Sequence, residues 1–273
     1  YLLKKICGIP YIVFLGGRDV PRPNPDPPSY RWLYGILAPA IRGIWRNAAA
    51  VVACSDGLRT LALRTDSQTR FRVIPDGIDL SRFSPVPREA RPERVRILTI
   101  GRLIPRKGFQ YLIRALPQVL QHATNDFEVE LVGDGPHRPE LVKLADELGV
   151  SHKINFAGSV PYSDLPQKYR EADIFTLCSL AEGMPLVVLE AMGSGLPIVA
   201  SRVQGIEDLV EVGTNGELFA PGDVDALAKG LISLINDGER RVQMGVASTA
   251  RVQRYDWKHI AQAYLEIYHS VKR

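Results

Sequence analysis

The sequence has little cysteine, no clustered histidines and no long apolar run, and each absence argues against a class of protein. Its three cysteines, Cys7, Cys54 and Cys178, lie far apart and form no CxxC pair, which argues against a disulfide framework and a zinc site. We interpret them as buried apolar residues of a reducing compartment. The five histidines show no metal-ligand spacing. No apolar stretch approaches the roughly 18 residues of a membrane-spanning helix.

The overall amino-acid composition is typical of a folded, soluble protein. Apolar residues make up 45% of the 273 positions, and 34 basic against 30 acidic residues give a net charge of +4. This length suggests about two domains. The charge is uneven, because residues 1–96 hold 16 basic and 8 acidic residues, whereas residues 97–273 hold 18 and 22. The asymmetry fits either an N-terminal part that faces an anionic substrate or surface, or a solvated arginine-rich surface.

From residue 95 onward, short apolar runs alternate with helical patterns. The run 95–100 (VRILTI) is closed by Gly101, and the apolar spacing over 109–121 is helical. Such alternation predicts βαβ units and a parallel sheet with helices on both faces. The further predicted strands are 127–132, 153–157, 173–177, 197–200 and 217–219, and the further predicted helices are 138–148, 163–171, 185–194, 223–236, 239–253 and 257–271.

The N-terminal part repeats this theme in shorter form. It contains predicted strands at 11–15, 49–54 and 73–74 and predicted helices at 30–46 and 56–65, the latter with Ser55 as N-cap. Three short strands are too few for a complete doubly wound sheet, and the sequence begins with Tyr1 rather than Met. We therefore expect residues 1–84 to be the C-terminal part of a truncated domain. The proline-rich stretch 85–94 predicts a linker, and residues 95–273 form the predicted second domain.

The first motif with chemical meaning is the loop Gly101-Arg-Leu-Ile-Pro-Arg-Lys-Gly108, between a predicted strand and a predicted helix. Arg102 and Lys107 place two cations near a helix N-terminus, which itself favours an anion. Ligands of doubly wound sheets bind at the carboxyl ends of the strands, so the loop predicts a phosphate or diphosphate ligand. It is neither a GxGxxG dinucleotide motif nor a Walker A loop. A merely solvated basic loop is the alternative.

The second motif contains two glutamates, Glu182 and Glu190, around a predicted helix start at Pro185. The backbone amides after Gly183 are available to an anion, whereas the carboxylates suit sugar or ribose hydroxyls that donate hydrogen bonds. The pattern therefore favours a ligand that carries hydroxyls beside phosphates. Two surface glutamates on a capped helix are the alternative. A third motif, Gly133-Asp-Gly-Pro136, is either a close approach to a ligand or a simple turn.

These motifs, together with Ile74-Pro-Asp-Gly-Ile-Asp79 and Phe83 before them, resemble the retaining glycosyltransferases of the GT-B fold, in particular the group 1 family (family 4). The resemblance covers residues 72–273, and residues 1–71 resemble the end of the family's N-terminal domain. It implies an α/β fold of two Rossmann-like domains, with the donor nucleotide in the second. It also implies transfer of a hexosyl group from a UDP- or GDP-sugar to an acceptor hydroxyl with retention, without a metal, another cofactor or a nucleic-acid partner.

The resemblance also implies roles for individual residues. Arg102 and Lys107 match the pair that holds the donor diphosphate, and Glu182 matches the carboxylate that contacts the transferred sugar. These three are the expected catalytic residues, and Glu190 matches the residue that holds the ribose hydroxyls. The remaining matched positions are Gly183, Met184, Pro185 and Leu186 at the sugar and diphosphate, and Gly158, Ser159 and Val160 at the base.

Two positions depart from the family pattern. The family often has His-Gly-x-Asp after the strand that matches 11–15, where this chain has Gly16-Gly17-Arg18-Asp19. The asparagine of its Pro-Asn-Gly turn is Asp76 here. Two other functions remain open, namely a GT-B nucleotide-sugar epimerase, and a nucleotide-sugar-binding fragment or regulatory protein without full transferase activity.

The acceptor and the cellular location are less constrained. The acceptor is a saccharide, a lipid or a small molecule, and the sequence distinguishes neither these nor the sugar and base of the donor. We expect a cytoplasmic protein or one peripheral at the inner membrane face. The predicted helix 30–46, rich in aromatic residues and arginine, either packs in the N-terminal domain or lies on an anionic membrane.

Overall fold

A computed structural model of the chain describes residues 2–17, 19–22, 26–87 and 93–271. Tyr1, Arg18 and residues 88–92 of the predicted linker lie outside the described residues. The N-terminal part contains β1 (Ile12–Leu15), β2 (Ala50–Ala53), β3 (Phe71–Val73), α1 (Leu2–Cys7), α2 (Pro28–Asn47) and α3 (Asp56–Thr65).

The second part alternates strands with helices as its sequence pattern predicts. Its strands are β4 (Val95–Ile100), β5 (Phe127–Val132), β6 (Ile154–Gly158), β7 (Ile174–Leu177), β8 (Ile198–Ser201) and β9 (Gly216–Phe219). Its helices are α4 (Phe109–His122), α5 (Arg138–Glu147), α6 (Leu165–Glu171), α7 (Leu186–Gly193), α8 (Val224–Asn236), α9 (Gly238–Val252) and α10 (Trp257–Val271).

Both sheets are parallel, as the βαβ pattern predicts. The first has the order β1-β2-β3 and the second the order β6-β5-β4-β7-β8-β9. In the second sheet, the chain runs outward from β4 to β6 and then crosses back to β7 on the other side of β4. This reversal makes a crevice at the carboxyl ends of β4 and β7, where doubly wound proteins bind their ligands. The predicted α/β fold class is confirmed.

The apolar periodicity of the sequence packs the second sheet between helices. In α4, Phe109, Leu112, Ile113 and Leu116 are at most 1% exposed, and their spacing puts them on one helix face. They share a core with β4 and β5 residues such as Val95 and Val129. Burial of this face therefore holds the loop that precedes α4 against the strand ends.

The boundaries of several elements differ from the predicted ones by one or two residues. The helix predicted from residue 30 begins at Pro28, because proline is favoured in the first helical turn. The strand predicted at 73–74 covers Phe71–Val73 and pairs with β2. The N-cap prediction is confirmed, since the Ser55 hydroxyl accepts a hydrogen bond from the Leu58 amide at 3.2 Å.

Helix α10 returns to the first sheet. Its residues Ile260 and Ile267 share a small core with Val52 of β2 and with Ile74. The link is reinforced where the Ile78 amide donates to the Tyr255 carbonyl at 2.9 Å. The boundaries of the two predicted domains stay a prediction, but α10 bridges them. Within the described residues, no helix combines the length and the apolar character needed to cross a membrane.

Candidate functional site

The loops after β4 and β7 meet in the crevice between these two strands. There the Lys107 ammonium forms an ion pair with a Glu182 carboxylate oxygen at 2.7 Å, with the two side chains only 19% and 10% exposed. The sequence predicted both residues at one site but did not pair them. An ammonium has three N–H donors, so Lys107 can hold Glu182 and still donate to an anion.

Gly108 makes this close approach of the two loops possible. Its φ of 74° lies in the left-handed region, and a Cβ at this position would lie 1.9 Å from the Cys178 carbonyl oxygen. The Leu180 amide also donates to the Arg106 carbonyl at 2.9 Å. Only glycine fits both the conformation and the space. The loop of residues 101–108, called the cationic loop from here on, is therefore held against the loop that carries Glu182.

The Glu182 loop also contacts the N-terminal part of the chain. A Cβ at Gly183 would lie 2.4 Å from the Gly16 carbonyl oxygen. The turn is held by Asp19, whose carboxylate accepts hydrogen bonds from the Gly16 and Gly17 amides at 2.8 and 2.9 Å. The turn in which Gly16 replaces the family's histidine therefore lies directly beside the candidate site.

Arg22 is a second contact from the N-terminal part, and no sequence pattern predicted it. Arg22 is 4% exposed, and its guanidinium donates to the Glu182 carbonyl oxygen at 3.0 Å. Its backbone amide donates to the Asp26 carboxylate at 2.7 Å. Burial lowers the pKa of Arg22, while Asp26 and Glu182 oppose that shift. The proline-rich loop around Arg22 offered no periodic pattern from which this contact was predictable.

Helix α7 presents its N-terminus to the crevice without a side-chain cap. Pro185 is the N-cap residue and Leu186 begins the helix, with its side chain 47% exposed. Met184 is buried, and its sulfur accepts a hydrogen bond from the Asp76 amide at 3.3 Å. Burial raises the pKa of the Asp76 carboxyl. No side chain of the described residues caps the α7 amides, so they are available to an anion.

Glu190, in the second turn of α7, is 4% exposed and accepts a hydrogen bond from the Tyr169 hydroxyl at 2.7 Å. Burial raises the pKa of the Glu190 carboxyl, and the hydrogen bond from Tyr169 opposes that shift. Tyr169 lies in α6 and is fully buried, and the sequence patterns did not single it out. Glu182 is also buried, at 8% exposure. Neither carboxylate is the surface residue that the alternative interpretation required.

The remaining predicted residues lie at the ends of β4 and β6. Arg102 is exposed at the start of the cationic loop, and it forms no ion pair within the described part of the chain. Gly158 ends β6 with a φ of 73°, followed by exposed Ser159 and half-buried Val160. The Gly133 amide donates to the Gly158 carbonyl at 2.8 Å, which joins this predicted base region to the end of β5.

Comparison with known proteins identifies the family. The family profile described as Glycosyl transferases group 1 matches residues 83–251. The GDP-mannose-dependent alpha-(1-6)-phosphatidylinositol monomannoside mannosyltransferase of Mycolicibacterium smegmatis is 35% identical over 78% of this chain and 59% of its own length. The D-inositol 3-phosphate glycosyltransferase of Nocardia farcinica is 32% identical over 73% of this chain and 47% of its own length. The chain thus spans about half the length of these curated relatives.

Solved structures share the fold over nearly the whole chain. The crystal structure of Anabaena HepE in complex with UDP superimposes with a TM-score of 0.84 and 26% identity, and the match covers 98% of this chain and 74% of that one. The sucrose-phosphate synthase from Thermosynechococcus elongatus superimposes with a TM-score of 0.83 over 99% of this chain and 70% of that one. Its sequence identity of 24% supports the fold alone.

Proposed function

The chain belongs to the family of glycosyl transferases group 1, and from that membership we propose that it transfers a hexosyl group from a UDP- or GDP-sugar to an acceptor hydroxyl with retention. One of its relatives is named as GDP-mannose-dependent, and one similar structure contains UDP. A nucleoside diphosphate therefore suits the candidate site, and the titrations below compare UDP with GDP. The protein would act in the cytoplasm or at the inner membrane face.

The observation that carries this proposal is the convergence of unlike groups in one crevice. The Lys107–Glu182 pair at 2.7 Å lies between the ends of β4 and β7, where α7 also begins. Lys107, Arg102 and the α7 amides supply positive charge for a diphosphate. The buried carboxylates of Glu182 and Glu190 supply acceptors for hydroxyl groups. A nucleotide-diphosphate sugar has both kinds of group.

The proposed roles follow from these positions. Arg102, Lys107 and the backbone from Gly183 to Leu186 stabilise the charge that develops on the departing diphosphate. Glu182 contacts the transferred sugar, and Glu190 accepts hydrogen bonds from the ribose. The base lies at Gly158, Ser159 and Val160. These positively charged groups and amides serve where other enzymes use a metal ion, so no metal is proposed.

Retention is proposed with attack on the same face that the diphosphate leaves. Glu182 is paired with Lys107 and Glu190 accepts from Tyr169, and both are proposed to accept hydrogen bonds from the ligand, so neither is proposed as a nucleophile. A departing phosphate oxygen would accept the proton of the acceptor hydroxyl. Proton NMR of the first-formed product tests retention at the anomeric carbon, and an inverted anomeric configuration would contradict it.

The decisive experiment measures nucleoside diphosphate binding by isothermal titration with UDP, GDP and ADP. The double variant R102A/K107A should weaken binding by several kcal/mol, because charged hydrogen bonds contribute about 1.5–3 kcal/mol each. The matched control is K143A, which removes an exposed lysine of α5 whose only described partner is Glu147 one helical turn away. Equal affinity of both variants for all three nucleotides would refute the proposed diphosphate site.

A further inference from the structure

A cavity of about 390 Å³ lies between α2, α3 and the loop of residues 20–22, on the N-terminal side of the Glu182 loop. Four arginines contribute to its lining, namely Arg22, Arg31, Arg42 and Arg64. The lining residues that the structure describes include no aspartate or glutamate. The cavity has the size of a small-molecule site, and its charge is of one sign.

The two helices place these cations by their regular spacing. Arg31 and Arg42 lie on one face of α2 together with Tyr34, because these positions are separated by three and eight residues. Arg64 lies near the end of α3. The Tyr34 hydroxyl and the Thr65 hydroxyl are 3.1 Å apart and form a hydrogen bond across the cavity wall. The site is therefore part of the packed structure of the two helices.

Arg22 provides an independent indication of a ligand. Its side chain is 96% buried, yet two of its guanidinium nitrogens, Nε and Nη1, have no hydrogen-bond partner in the described structure. Its third guanidinium nitrogen, Nη2, donates a hydrogen bond to the Glu182 carbonyl oxygen. Buried donors without partners cost free energy. Arg22 also lines the cavity, so an anion bound there lies next to a guanidinium whose hydrogen-bonding capacity is not used up.

Nearby carboxylates do not neutralise this cluster fully. Asp26 accepts a hydrogen bond from the Arg22 backbone amide and attracts its guanidinium. Asp66 lies at the end of α3, but its carboxylate is bound by Arg46 through two hydrogen bonds at 2.7 and 2.8 Å. Asp26 and Glu182 both attract the Arg22 guanidinium, and four arginines line the cavity, so its described lining carries more positive than negative charge.

We infer that this four-arginine cavity binds a phosphate ester, and that the ester belongs to the acceptor. The planar guanidinium forms paired hydrogen bonds with phosphate oxygens, which favours phosphate over a small halide ion. The cavity is larger than a bare phosphate ion, so it also has room for the polyol or headgroup that carries the phosphate. Arg22 joins it to the Glu182 backbone, so the ester would bind beside the proposed sugar-contacting loop. The assignment to the acceptor rests on the proposed transfer reaction, whereas phosphate binding by the cavity does not.

The test is isothermal titration of sn-glycerol 3-phosphate into the 273-residue chain at constant ionic strength, with and without saturating UDP. The variant R42Q/R64Q removes two cavity charges from side chains that are half-buried or exposed, and it should weaken glycerol phosphate binding about tenfold or more. The control R114Q/R170Q removes two exposed charges from α4 and α6 and should bind as the parent does. Equal weakening in both variants, or no binding to the parent, would overturn the inference.

A second arm separates a lipid headgroup from a free phosphate ester. Vesicles of phosphatidylcholine with phosphatidylglycerol are compared with phosphatidylcholine alone by co-sedimentation. If the parent binds the anionic vesicles more tightly and R42Q/R64Q abolishes this preference, the phosphate ester is a lipid headgroup. If R42Q/R64Q binds the anionic vesicles as the parent does, the cavity is not the site of vesicle binding. UDP affinity is recorded for each variant. If the parent does not bind UDP, the proposed function is rejected. The glycerol phosphate titrations without UDP still test whether the cavity binds a phosphate ester.

Discussion

At the scale of single residues, Glu190 shows a conflict between folding and function. Its carboxyl is buried, and burial raises its pKa, so the folded protein binds this proton more readily than the unfolded chain does. The ionised form of Glu190 therefore destabilises the fold, and this cost grows as the pH rises through the raised pKa. A residue that costs stability at neutral pH fits a ligand-binding role.

Replacement of Glu190 by glutamine should therefore separate stability from binding. We expect E190Q to keep or raise the Tm at pH 7, because it removes a buried charge while it keeps an acceptor for Tyr169. The same variant should weaken UDP or GDP binding by about 1–3 kcal/mol, because a charged hydrogen-bond acceptor for the ribose is lost. Thermal unfolding and titration on one preparation check both expectations. A lower Tm with unchanged nucleotide affinity would show that Glu190 is structural.

The second carboxylate should respond differently. We expect E182Q to leave the affinity for the bare diphosphate almost unchanged and to reduce binding and turnover of the intact nucleotide sugar, because Glu182 is proposed to contact the sugar. Titration of each variant with UDP and with a UDP-sugar provides the comparison. If E182Q impairs UDP binding as strongly as E190Q does, Glu182 serves the phosphate loop instead.

At the scale of secondary-structure elements, α10 joins the end of the chain to the first sheet. Its apolar face covers β2 through Ile260 and Ile267, which are 4% and 1% exposed. Leu265, in the same helix, is 46% exposed. The helix therefore has one face that seals the first sheet and another that faces outward.

A pair of alanine variants tests this packing of α10. I260A should lower the free energy of unfolding by about 2–5 kcal/mol, because it leaves a cavity in a packed interior. L265A should change it by much less, about 0.5 kcal/mol, since Leu265 is nearly half exposed and belongs to none of the buried clusters. Urea denaturation of both variants gives the values. Similar values for the two would mean that α10 does not pack on the first sheet in solution.

At the scale of the whole molecule, the N-terminal and C-terminal parts meet by backbone contact at the candidate site. The Gly183 position leaves no room for a Cβ, because the Gly16 carbonyl oxygen and the Gly17 Cα would lie 2.4 and 3.0 Å from it. Arg22 adds a side-chain contact to the Glu182 carbonyl beside it. The arrangement of the two parts is thus coupled to the loop that is proposed to contact the sugar.

The variant G183A should displace the two parts at this contact. We expect it to cost about 1–3 kcal/mol of stability through overpacking and to weaken binding of an intact nucleotide sugar more than that of UDP. The control G35A adds a Cβ in α2 where nothing lies within 4 Å, and it should stabilise the protein by about 0.5–1 kcal/mol, as alanine does in helices. A G183A protein with parent-like Tm and sugar binding would contradict the coupling.

The sequence by itself determined the parallel α/β architecture and most of the second part's elements. Buried parallel strands are short apolar runs, and the helices between them repeat every 3.6 residues, so both patterns are local. The run VRILTI and the spacing of α4 were sufficient for this reason. The sequence predicted that Lys107 and Glu182 lie at the same edge of the sheet, but it did not predict their ion pair. Sequence patterns locate an edge of the sheet rather than individual atoms.

Only the tertiary structure decided which distant groups meet. Arg22 and Glu182 are separated by 160 positions, and Tyr169 and Glu190 belong to different helices, so no periodicity linked them. The cluster of Arg22 with Arg31, Arg42 and Arg64 likewise depends on how α2 packs beside α3. Local patterns encode which face of an element is buried, but the partner of that face is set by packing over long sequence separations, and the chemistry of the site lies in those contacts.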